Sequence, residues 1–221
     1  DDSWDDDELV YTVKAVYRIT DAIQTYASVS HGFKSGGFNL DATAAILGSN
    51  PVFDSEVVDS YELGLKSDLF NGSLRLNLAI YRMEMDDYQI LEFTGAQFKT
   101  FNVEVAESDG FELEMTWLPT DNLRLSLGYT KSDARYPDDC DGGDPTADIS
   151  VSLLCGFELT NSPESTAIAG LDYDTELSGS NLALFFSTNA RWEDDKRTGT
   201  QAINAAGVPL AFDIQEAHTK V

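Results

Sequence analysis

Few residues in this chain have types and spacings that can do chemistry, and most of them stand in one segment. Cys140 and Cys155 are the only cysteines. Both fall in PDDCDGGDPTADISVSLLCGFELTNSPES, where they can close a disulfide if the compartment is oxidising or remain free thiols if it is not. The same segment carries Asp139, Asp141 and Asp144 among glycines, a set of oxygen ligands that can wrap Ca²⁺. It does not follow the EF-hand spacing, and an aspartate-rich loop is more often simply solvated. His31 and His218 lack metal-ligand spacing with cysteine or carboxylate, and neither G-x-S-x-G nor H-E-x-x-H occurs. Glu112 and Glu114 sit two apart, a spacing open to an acid/base pair, but a polar strand face needs such residues anyway. The reading is a non-enzyme without a cofactor.

The elements that must carry these residues are strands. Phe111 to Tyr136 alternates on both sides of a polar turn. Phe111, Leu113, Met115 and Trp117 oppose Glu112, Glu114 and Thr116. Pro119 to Asn122 is read as the turn, after which Leu123, Leu125, Leu127 and Tyr129 oppose Arg124, Ser126, Gly128 and Thr130. Period two across a turn is a β-hairpin. Arms of about ten residues ending in an aromatic have the length of a membrane-crossing strand, where a soluble strand is nearer five or six.

The same pattern recurs along the chain. Alternating runs lie at 9–18, from Ile23, around Tyr61 to Leu65, from Leu74 to Tyr81, around Ala167 to Tyr173, and from Leu182 to Trp192. The run from Leu74 continues through MEMDDYQILEF to a tip at Thr94 to Ala96, and its partner returns through Asn102. Short turns at Asp21, Asn71, Asp121 and Gly179 alternate with long connections at about 35–56, 137–165 and 193–216. Short turns at one end and long loops at the other is the asymmetry of an outer-membrane barrel. On this reading Leu74, Leu76, Leu78, Ile80 and their counterparts face lipid. Arg75, Asn77, Glu112, Glu114, Arg124 and Ser126 face the lumen.

Charge and composition agree. A net charge of −25 argues against a nucleic-acid partner, which needs clustered Lys and Arg. A hydrophobic content of 42% is no obstacle to membrane insertion, because a barrel strand is apolar only at alternate positions.

Three runs carry a family resemblance: YASVSHGFKSGGFN, SYELGLKSDLFNGSLRLNLAIYRMEMDDYQI and NVEVAESDGFELEMTWLPTDNLRLSLGYTKSDARY. With LTNSPESTAIAGLDYD, they resemble the C-terminal half of TonB-dependent outer-membrane receptors. The resemblance implies an all-β, antiparallel transmembrane barrel of the 22-strand type, of which this chain supplies about eight or nine strands without the plug domain. Neither a TonB-contacting box nor an aromatic C-terminal residue stands where the family has one, and the chain starts without a basic-then-apolar leader. The expectation is an internal fragment of a larger receptor. The implied function is binding and import of a scarce nutrient (an iron chelate, a cobalamin or an oligosaccharide), energised by the TonB–ExbB–ExbD system through the missing plug. The barrel would sit in outer-membrane lipid of a Gram-negative bacterium. The alternative is a passive porin or an adhesin. In such a barrel the outer-end residues Phe38, Asn39, Phe93, Gln97, Phe98 and Phe101 are placed to hold a ligand above the plug, though a girdle or loop-packing role suits each of them as well. Cys140 and Cys155, in an exported loop, are expected to be bonded to each other.

Overall fold

The computed structural model describes residues 5–39, 51–93, 98–140, 154–198 and 214–220, without the side chains at 92, 93, 98 and 214. Every regular element among them is a strand. In chain order these are β1 (Tyr11–Thr20), β2 (Ile23–Lys34), β3 (Gly37–Phe38), β4 (Val52–Phe53), β5 (Glu56–Leu69), β6 (Leu74–Phe93) and β7 (Phe98–Thr120). They continue with β8 (Leu123–Arg135), β9 (Ser165–Glu176), β10 (Ala183–Glu193), β11 (Lys196–Arg197), β12 (Ile214–Gln215) and β13 (His218–Lys220). Nine of them form one antiparallel sheet in the order β1-β2-β5-β6-β7-β8-β9-β10-β13. The pairs β3–β4 and β11–β12 are small ribbons within two of the long connections.

The register sorts the alternating residues into rows that run across the sheet. One row reads Leu65, Leu78, Leu113, Tyr129, Ala167, Trp192; the next reads Ser67, Leu76, Met115, Leu127, Ala169, Ala190. A row of the other face reads Arg18, Gln24, Lys66, Asn77, Glu114, Gly128. The sheet therefore has an apolar and a polar face, and a slip of one residue in any strand would exchange them.

Large apolar side chains on the first face are left in the open. Leu63 is 52% exposed, Ile80 54% and Phe186 57%. A water-facing sheet would hide these residues, so the pattern is that of a surface made for an apolar solvent. Five successive rows, from Leu63–Ile80–Phe111 down to the Leu123–Tyr173 pair, are predominantly apolar, the uppermost ending in Lys131 and Ser165. At about 3.4 Å per residue they span about 27 Å along the strands, close to the ~25 Å apolar band of a membrane barrel. The next row up, Tyr61–Arg82–Asp109–Asp133, is charged.

The short turns are tighter than the sequence reading in one place and richer in another. Pro119 is not in the turn that Asp121 and Asn122 make. It lies in β7 where the β7–β8 register shifts between Trp117 and Thr120, because a residue without an N–H is tolerated in a sheet at a bulge. Between β5 and β6, Phe70, Asn71 and Gly72 all have positive φ, at 53°, 57° and 87°, so the left-handed stretch is one residue longer than the Asn-Gly pair. Leu182 precedes β10 instead of belonging to it.

The packed core is not under the sheet but at its long-loop end. β6 and β7 have 20 and 23 residues, roughly twice what a bilayer needs. Their upper part rises beyond the ladder with β5, whose pairing with β6 reaches only Asp86. Met85, Ile90, Phe101, Val103, Ala106, Ala134, Tyr136, Cys140, Leu154 and Leu159 pack there as one buried cluster.

Candidate functional site

The long-loop end is assembled around the upper β6–β7 hairpin. Strict alternation would put Met85 and Ile90, five residues apart, on opposite faces, yet both are buried in the same cluster. Between them Asp87 has φ +52° and drops out of the ladder. A non-glycine residue in this conformation is uncommon, and here it changes the phase of the strand. The backbone group opposite does not go unpaired: the Glu104 N–H donates to the Cys140 carbonyl at 3.0 Å.

Cys140 and Cys155 are joined by a disulfide, with their Cα atoms 5.3 Å apart. Tyr136, Leu154, Val103 and Cys140 are fully buried around it. The segment after the bridge runs back along β8, with Tyr136 N–H donating to Phe157 O and Leu159 N–H to Ala134 O, each at 2.9 Å. Burial pushes the Tyr136 phenol well above its ordinary range.

Three amide side chains tie the connection between β2 and β5 to the same hairpin. Asn39 donates to Thr100 O and accepts from Thr100 N–H, both at 2.7 Å. Asn102 accepts from Asp54 N–H at 2.8 Å and donates to Asp54 O at 2.9 Å and Asp87 O at 2.6 Å. Gln89 donates to Ser35 O and Asp54 O at 3.1 and 3.0 Å. An amide presents a donor and an acceptor side by side, so it can pair with a backbone edge as another peptide would.

The residues read as ligand contacts therefore separate. Asn39 is engaged with backbone, and Phe101 is buried in the cluster with the Lys99 ammonium 6.0 Å from its ring centre. Phe38 is half-buried in β3 opposite Val52. Phe93 and Phe98 are cross-strand partners at the top of the hairpin. Gln97 and the tip at 94–96 lie outside the described residues, as do Asp141 and Asp144. Asp139 is exposed, and no group of three or more His, Cys, Asp or Glu able to hold a metal occurs among the described residues.

Sequence reasoning missed His31. Its Nδ1 lies 2.8 Å from an Asp59 oxygen, Glu8 lies 3.6 Å from Nε2, and Tyr11 stacks on the ring. The hydrogen bond to Asp59 holds the imidazole above its ordinary pKa, against the lowering effect of desolvation, with the charges of Asp59 and Glu8 adding to the rise. With a carboxylate at each ring nitrogen, the group is a bridge between β2, β5 and the N-terminal segment, not a free base. The alternating sequence held no signal for it beyond the cross-strand position of Asp59.

The polar face is held by another device. The Tyr26 ring lies over Gly64 and the Tyr81 ring over Gly110, where an added Cβ would come within 2.3 and 2.2 Å of ring atoms. Tyr81 Oη is 3.1 Å from Ser132 Oγ, which is 3.2 Å from Ser108 Oγ. The long-loop end is thus a packed hairpin clipped by amide side chains, carried on a two-faced sheet.

Comparison with known proteins agrees with this geometry. The family described as TonB dependent receptor-like, beta-barrel matches residues 1–215. A probable TonB-dependent siderophore receptor, PiuA, of Acinetobacter baumannii is 28% identical over 175 residues, which cover 76% of this chain and 22% of that protein. The metal-pseudopaline receptor CntO of Pseudomonas aeruginosa is 28% identical over 128 residues, covering 58% of this chain and 17% of its own length. Among solved structures, the ferric yersiniabactin uptake receptor FyuA of Yersinia pestis superposes with a TM-score of 0.73 at 18% identity, over 97% of this chain and 29% of that one. The chain thus spans about a fifth of the length of the curated relatives it matches.

Proposed function

Because the chain belongs to the TonB-dependent receptor β-barrel family, whose members lie in the outer membrane of Gram-negative bacteria, we propose that it forms part of the wall and outer mouth of a receptor importing an iron–siderophore complex. The observation that carries this reading is the family match along nearly the whole chain, joined to relatives named as siderophore or metal-chelate receptors. The apolar face contacts lipid, the polar face lines the lumen, and the short turns at Asp21, Asn71, Asp121 and Gly179 face the periplasm. The stapled β6–β7 hairpin rises outside the cell. There its upper end, where Phe93 and Phe98 are cross-strand partners, meets the ligand. Energy reaches the barrel through TonB and a plug that the barrel encloses.

The test is uptake of ⁵⁵Fe-siderophore by the bacterium that encodes the protein, grown under iron limitation. Deleting the gene abolishes uptake of one siderophore class, the intact gene restores it, and the restored uptake vanishes in a strain lacking TonB. Unchanged uptake of every iron chelate after deletion would remove the iron reading. Uptake that persists without TonB would mark a passive barrel.

A further inference from the structure

At the short-turn end of the polar face lies a hollow of about 580 Å³, a size that suits a small ligand. Arg18, Gln24, Lys66, Asp68, Arg75 and Asn77 line it, with Asp21 at the turn. The register explains the convergence: Arg18, Gln24, Lys66 and Asn77 follow one another in one cross-strand row, and Arg75 and Asp68 pair in the next.

The chain has 39 acidic residues and 14 basic ones, and acidic partners take up half of the bases. Lys34, Arg75, Arg82, Lys131, Arg135, Arg191 and Lys196 all have one. Arg18 and Lys66, like Lys14, Arg124 and Lys220, have no ion-pair partner among the described residues, and they are the two that stand together on one hollow. The Lys66 ammonium stands 5.6 Å from the Tyr26 ring centre, a ring that Lys14 already covers at 3.7 Å. Arg75 spends its Nε on Asp68 at 2.9 Å, which neutralises that carboxylate and leaves the remaining guanidinium nitrogens for another acceptor. Two uncompensated cations, a third with spare donors, and the Gln24 and Asn77 amides thus surround one polar space.

We propose that this hollow is a binding site for a small oxyanion of the phosphate or carboxylate class. Arg18 and Lys66 supply the charge, and Arg75, held in place by Asp68, supplies directed N–H donors. The planar guanidinium fork matches such an anion geometrically, while the ammonium acts as a point charge. Gln24 adds a neutral donor between the cations, while the Asn77 amide already donates to Glu114 at 3.3 Å. With Asp68 held by Arg75, Asp21 at the turn is the remaining carboxylate on the hollow, against the charges of Arg18 and Lys66.

The experiment uses the intact receptor purified from outer membranes in a neutral detergent and phosphate-free buffer, titrated with inorganic phosphate and, separately, with acetate. Saturable binding of either is expected, weakening as NaCl is raised. R18Q/K66Q should weaken it at least about tenfold, the loss of one or more charge-assisted hydrogen bonds. R82Q, on the apolar-face parity above the membrane band, should leave it unchanged. If R18Q/K66Q does not assemble, R18K alone keeps both charges, and it should retain acetate binding while weakening phosphate by removing the fork at position 18. Absence of saturable binding to the wild type overturns the proposal. So does binding that neither variant alters.

Discussion

The backbone N–H of Glu104 reaches the carbonyl of Cys140, 3.0 Å away, across the point where Asp87 leaves the β6–β7 ladder. The Cys140 carbonyl thus takes the place of a ladder partner where β6 is interrupted. Closing a loop of 15 residues removes about 3 kcal/mol of chain entropy from the open state. Crowded aspartates in the segment would otherwise hold it apart. Reduction, or C140S/C155S, should therefore abolish hydrogen-exchange protection of the Glu104 amide. The amides of Leu113 and Leu127, deep in the ladder, should keep theirs. Protection at Glu104 that survives reduction would show that the buried cluster alone docks the loop.

The two faces of β8 should respond oppositely to charge. Leu127 pairs with Met115 and Ala169 in the middle of the five apolar rows, while Ser126 pairs with Thr116 and Gly170 on the other face. L127R should cost about 2–4 kcal/mol in a lipid refolding titration, and S126R much less. Equal costs would mean that the apolar rows do not face lipid.

How far the sequence foretold this architecture depends on what each part packs against. Lipid imposes a period of two on every strand that crosses it, so Leu74 to Ile80 and Leu123 to Tyr129 announce their strands and their shared face. Above the membrane no single solvent imposes a period. There Asp87 reverses the phase, marked in the sequence only by the pair Asp86-Asp87 inside an alternating run. The amide clips of Asn39, Gln89 and Asn102 join residues up to 61 apart, and an amide in a loop looks the same whether it holds a backbone or a ligand. Phe101 likewise reads as an exposed aromatic until Tyr136, Cys140, Leu154 and Leu159 are seen to share its buried cluster.

Glycine on the polar face should be replaceable only where no tyrosine lies over it. A Cβ at Gly110 would meet the Tyr81 ring at 2.2 Å, whereas Gly128 has nothing within 4 Å. G110A should destabilise the barrel by about 1–3 kcal/mol through overpacking, and G128A should be neutral to within about 1 kcal/mol. Y81S should relieve most of the G110A cost in a double-mutant cycle. Simple additivity of the two would show that the ring moves aside freely.

The outer end should loosen as pH rises, for two reasons that act in different windows. Asp87 is held above its ordinary value of 3.8, chiefly by burial and then by the charges of Asp54, Asp86 and Glu104. The folded form therefore prefers the proton, and the stability this gives is present at low pH and lost as pH climbs through the folded pKa. His31 is held above 6.5 by its hydrogen bond to Asp59 and by the Asp59 and Glu8 charges. Its bridge is likewise complete below the unfolded pKa, and it is lost as pH passes the raised one. Both signs agree, so the opening free energy of the hairpin around 85–90 and 100–106, and of the N-terminal segment, should fall from mildly acid to alkaline pH. Hydrogen exchange corrected for the intrinsic pH dependence measures this directly. D87N should flatten the lower part of the hairpin profile while keeping the backbone bond from Glu104 to Cys140, and H31Q should flatten the upper part at Tyr11 and Glu8. Protection that increases with pH would mean that neither group titrates in the direction its surroundings dictate.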